Sequence, residues 1–87
     1  MKPVRFSNHA RKRMMGRGAT EAEVIETIQS GEWQTALQNK MQARKTFKYE
    51  QPSPINQKVY AFKTVHVIFV EEESTLTIVT VLVYYGD

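Results

Sequence analysis

His9, Arg13 and Arg17 follow one another at intervals of four in the stretch FSNHARKRMMGRG, residues 6–18. If this stretch is helical, such spacing puts the three side chains in a single stripe. A guanidinium is a permanent, planar cation whose N–H fork matches phosphate oxygens. An imidazole can carry a proton to or from a reacting oxygen near neutral pH. The trio therefore suits phosphate recognition or phosphoryl chemistry. A structural alternative stands beside it: Arg13 and Arg17 pair with glutamates of the following helix, and His9 supports the helix start. Ala10 and Met14 lie beside the stripe and form its buried edge, so the stripe should emerge where helix meets sheet. Arg11 and Lys12 point more nearly away.

A second basic group, Arg44, Lys45 and Lys48, lies in ARKTFKY. With period two, Arg44 and Lys48 share one face of a strand, and Lys45 shares the other with Phe47 and Tyr49. Cations interleaved with aromatic rings suit single-stranded RNA, whose bases stack and whose phosphates need positive partners. An edge strand protected by charge is the structural alternative. In the terminal YYGD, Tyr84 and Tyr85 point to opposite faces, so one packs and the other is free to offer its hydroxyl. His66, between Val65 and Val67, reads as a hydrogen-bonded histidine on one face of a sheet. Two distant histidines, no cysteine and an acidic cluster confined to Glu71–Glu73 give no metal-ligand spacing. No Gly-rich phosphate loop, nucleophile elbow or dinucleotide fingerprint occurs, and no cofactor is expected.

The elements that must position these residues are legible from caps and periodicity. Ser7 suits the N-cap of a helix over 8–17, and Gly18 suits the left-handed position after it. Thr20 and Glu23 form a capping box for a second helix, in which Val24, Ile25 and Ile28 face the core and Gly31 ends the run. After Trp33 the period changes to two. Strands are expected over 43–49, 58–62, 64–70 and 75–85, with a possible first strand at 4–6. EQPSPINQ reads as a loop and EEES as a hairpin turn. The expected architecture is α+β: two N-terminal helices packed on a mainly antiparallel sheet of three to five strands, in one domain spanning 1–87.

Composition bounds the partners. The 87 residues carry a net charge of +3, with Lys2, Arg5, Arg11, Lys12, Arg13 and Arg17 unopposed by any acid in residues 1–18. Such segregation favours anionic partners. The absence of cysteine excludes disulfides and fits a reducing compartment. No stretch reads as a signal peptide or membrane span, so a soluble, cytoplasmic protein is expected.

The run FSNHARKRMMGRGATEAEV resembles the opening of the family called domain of unknown function 4258 (DUF4258), through Ser7, His9, Ala10, Arg13, Met14, Arg17 and Gly18. The closing LTIVTVLVYYG is similar to that family's end. Ala19 departs from the usual branched residue after Arg-Gly, and the Pro-rich loop looks like a local elaboration. The family in turn resembles the RelE/ParE toxin group and small microbial ribonucleases. That likeness implies a metal-independent RNA endonuclease in which a ribose 2′-hydroxyl attacks the adjacent phosphate, acting as the toxin of a toxin–antitoxin pair with an antitoxin partner. On this reading His9 is general base or acid, Arg13 and Arg17 bind phosphate, Arg44 is a second cation and Tyr84 is a positioning group; the strand pattern adds Arg44, Lys45 and Lys48 as the residues that hold the RNA. A non-catalytic module binding nucleic acid or protein is the alternative.

Overall fold

The computed structural model describes residues 1–87. The chain runs β1 (Val4–Phe6), α1 (Asn8–Arg17), α2 (Glu21–Ser30), β2 (Gln34–Thr35), β3 (Met41–Pro52), β4 (Val59–Glu71) and β5 (Leu76–Gly86). The extended backbone of Ser7 turns the chain into α1, and its Oγ accepts the Ala10 N–H at 3.1 Å. Gly18 closes α1 with a φ of 84°, a conformation that costs a side-chain-bearing residue free energy. Space also demands glycine there, since a Cβ would lie 2.6 Å from Tyr85 Oη and 2.9 Å from Pro54 Cγ. Thr20 and Glu23 cap α2 reciprocally, as a capping box: Thr20 Oγ1 accepts the Glu23 N–H at 3.1 Å, and Glu23 Oε1 accepts the Thr20 N–H at 2.9 Å.

The strands form one five-stranded sheet in the order β1-β5-β4-β3-β2. It is a mixed sheet: β1 runs parallel to β5, and the other three pairings are antiparallel. The parallel pairing follows from topology. α1 and α2 carry the chain away after β1, and the strand that returns beside it is β5, at the far end of the sequence.

Two expectations about the strands are corrected. The segments 58–62 and 64–70 are one strand, β4, because Lys63 does not interrupt it. Lys63 takes a core-side position, 4% exposed, and its ammonium reaches Glu23 Oε2 at 2.7 Å and Gly18 O at 2.9 Å. The Pro-rich loop is shorter than its composition suggests, since β3 extends through a bulge to Pro52, which pairs with Val59. Proline is tolerated there because a strand end requires no ladder donor.

Both helices cover the same face of the sheet. Alternation sets Ala43, Val65, Val67 and Phe69 toward Ala10, Met14, Val24 and Ile28 in one buried cluster. Ile78 pairs with Phe69 and Thr80 with Ile68, leaving Val79 as an extra residue. That bulge lets Ile78 and Val81, three apart, face the same core. Ile25 is only half-buried, and Thr27 takes a core position by donating its hydroxyl to Glu23 O at 2.7 Å.

Candidate nucleic-acid interface

The α1 stripe forms, but it does not open into a cleft. His9 and Arg13 are exposed and make no side-chain hydrogen bond or ion pair. Arg17 is half-buried, and its guanidinium donates to Val81 O at 2.7 Å. Tyr85 donates its hydroxyl back to Arg17 O at 2.6 Å. Arg17 thus clamps the end of α1 to the edge of β5. The glutamate partner on α2 goes to Arg11, which bonds Glu21 and lies 5.3 Å from the Phe6 ring centroid. No surface hollow is lined by His9, Arg13 or Arg17.

Arg44, Lys48 and Tyr84 lie on the far side of the sheet. With the helices on one face, the alternate residues of β3, β4 and β5 form an uncovered face. Register aligns them in rows: Arg44, His66 and Leu82 in one, Thr46, Thr64 and Tyr84 in the next, then Lys48 and Phe62. Neighbouring strands lie about 4.8 Å apart, so each row is a short shelf across the sheet. Thr46 and Thr64 tie the middle row by a 2.9 Å hydroxyl contact. Arg44 and Lys48 are exposed and unpaired, while Tyr84 is 54% and Phe62 42% exposed. None of these residues is acidic. At one end the face runs into a hollow of about 630 Å³, walled by the β2–β3 loop with Gln42 and Ile68.

Lys45 does not join this face. It points to the helix layer, with Nζ 2.7 Å from Glu26 and 5.4 Å from the Phe47 ring centroid. Of the tyrosine pair, Tyr85 packs and Tyr84 projects. Burial and the neighbouring Tyr49 push the Tyr85 phenol up to about 12.

His66 belongs to this face, although its apolar neighbours in sequence mark it as an ordinary sheet histidine. It is buried at the centre of the uncovered face, with Nε2 2.8 Å from Gln42 Oε1. Burial, and then the positive charge of Arg44, hold its pKa below the ordinary value. Only strand register brings Arg44 opposite His66, and no local pattern in the sequence signals it. No three metal-ligating side chains gather, and no helix is long and apolar enough to cross a membrane.

Comparison with known proteins gives one match: residues 6–83 fit the family model described as Domain of unknown function (DUF4258). No curated protein and no solved structure matches the chain.

Proposed function

The chain belongs to the DUF4258 family, and we propose that it binds single-stranded RNA across the uncovered face of its sheet. One observation carries this reading: Arg44 and Lys48 stand without an ion-pair partner among strand residues that include no acid, beside the exposed rings of Tyr84 and Phe62. Cations on such a face neutralise phosphates and release counterions, and aromatic rings there stack bases without strict sequence preference. The adjoining hollow offers space for an unstacked base. The test is fluorescence anisotropy with a labelled single-stranded RNA over a salt series. Replacing Arg44 and Lys48 together by Ala should weaken binding and flatten the log–log salt slope by roughly 0.7 per lost phosphate contact. Unchanged affinity and slope would refute the reading.

The RelE/ParE likeness extends it to a cytoplasmic, metal-independent RNA endonuclease, the toxin of a toxin–antitoxin pair. His9 and Arg13 favour this second reading, because they are exposed and unpaired on the stripe that ends at the β5 edge with Arg17. RNA leaving the sheet over that edge would meet them. Cleavage in the presence of a chelator, reduced about 10²–10⁴-fold in the His9→Ala, Arg13→Ala variant, is the expected result. Equal cleavage by that variant removes His9 and Arg13 from the chemistry. Growth arrest relieved by coexpressing the neighbouring gene would identify the antitoxin, and absence of both toxicity and cleavage leaves the binding reading alone.

A further inference from the structure

His66 Nδ1 is a buried side-chain polar atom that has no hydrogen-bond partner. Buried polar atoms are almost always bonded, so one left open at the centre of a candidate RNA surface calls for a reason. Its tautomer follows from its neighbour. Nε2 lies 2.8 Å from Gln42 Oε1, an atom that only accepts, so Nε2 carries the ring proton. Nδ1 then holds a lone pair and can only accept. The side chains facing it across the sheet are Arg44 on β3 and Leu82 on β5, each directly opposite in register. The other charged or titratable groups of the face are Lys48 and Tyr84, one or two rows away; Glu32 shares a hollow with Arg44 and Gln42, Lys40 lines the adjoining hollow beside Gln42, and both helices lie on the other side. None of these groups bonds Nδ1.

A partner for Nδ1 has to be a small donor, and one that sits next to a negative charge would engage Arg44, directly opposite in register, at the same time. In RNA each ribose 2′-hydroxyl is such a donor, adjacent to the 3′-phosphate, and DNA lacks it. We infer that His66 Nδ1 accepts the 2′-hydroxyl of a ribose whose 3′-phosphate engages Arg44, so that this face selects RNA over DNA. Nδ1 exposes less than 1 Å², so a ribose reaches it only when a neighbouring side chain moves, and on this inference the side chain that moves is Arg44, which is opposite in register, exposed and unpaired. The inference rests on the RNA-binding reading above and deepens it.

The experiment measures anisotropy of one labelled single-stranded sequence made as RNA and as DNA, against wild type and His66→Phe, which keeps a ring of similar size but offers no acceptor. Wild type should bind the RNA about tenfold more tightly, the worth of one buried hydrogen bond. His66→Phe should bind both strands alike, with its DNA affinity within about twofold of wild type. Equal binding of RNA and DNA by wild type, or a preference that persists in a folded His66→Phe, overturns the inference while leaving the binding face intact. Failure of wild type to bind either strand overturns both. Should His66→Phe not fold, the ¹⁵N resonance of wild-type Nδ1 decides. It should shift on adding RNA and stay in place on adding DNA, and an identical response to the two strands overturns the inference.

Discussion

Removing Glu23 should destabilise the fold far more than a surface carboxylate would. Its Oε1 accepts the Thr20 N–H, and its two oxygens lie 2.9 and 2.7 Å from Lys63 Nζ. Lys63 is 4% exposed, and its remaining partners are Gly18 O and the face of Tyr49, 4.9 Å away. Glu23→Ala leaves that ammonium buried without a counter-charge, a change that costs about 3–5 kcal/mol, and it also breaks the capping box. For a domain of this size each kcal/mol moves the thermal midpoint by about 4–8 °C, so a fall of roughly 12 °C or more is expected. Lys63→Met is the asymmetric control. Glu23 is more exposed, keeps its cap bond and can hydrate, so this variant should lose only about 1–2 kcal/mol, chiefly from the unpaired Gly18 carbonyl. Urea unfolding followed by the fluorescence of Trp33, whose indole packs edge-on against Phe69 at 5.0 Å, reports both variants. If Glu23→Ala cost only the ~1 kcal/mol of a lost helix cap, Lys63 would not be held as described.

Three further outcomes follow from individual side chains. Tyr85→Phe should cost about 1 kcal/mol through the lost bond to Arg17 O. Ultraviolet titration should show the Tyr85 phenol ionising near 12 in wild type, a step the variant loses. Because this phenol lies above its ordinary value in the fold, it contributes stability below pH 10 that is lost as pH rises from 10 toward 12. His66 shifts the opposite way: its folded value lies below 6.5, so its contribution is present above pH 6.5 and is lost as pH falls below it. Thermal midpoints measured between about pH 7 and 5.5 should fall in wild type and fall less in His66→Phe. Arg17→Met should destabilise by about 1–2 kcal/mol, since it removes a charge-assisted bond to Val81 O, and denaturant titration measures the loss.

Local signals carried most of the fold. Ser7, Gly18, Thr20 and Glu23 are caps whose chemistry is complete within a few residues, so the helices were readable from sequence. Period two placed Arg44 and Lys48 on one face and Lys45 on the other, as found. Long-range pairing was not readable. Lys63 looked like a strand break because its partner, Glu23, lies forty residues earlier. The parallel seating of β1 against β5 and the burial of Ser53, whose Oγ accepts the Ile55 N–H at 3.2 Å, depend on contacts no local pattern encodes. The site divided for the same reason. His9, Arg13 and Arg17 do form one helical stripe, yet the helix covers the opposite face of the sheet from Arg44 and Tyr84. Only the register of β3, β4 and β5 brings Arg44, His66 and Tyr84 together.

The most direct test of the central claim is methyl-resolved NMR of the protein titrated with unlabelled single-stranded RNA, because alternate residues of one strand report opposite faces. RNA bound across the uncovered face should shift Leu82, Ile68, Thr64 and Thr46 and leave Val65, Val67 and Ile28 unmoved. Shifts confined to the helix layer, or none at saturating RNA, would contradict it.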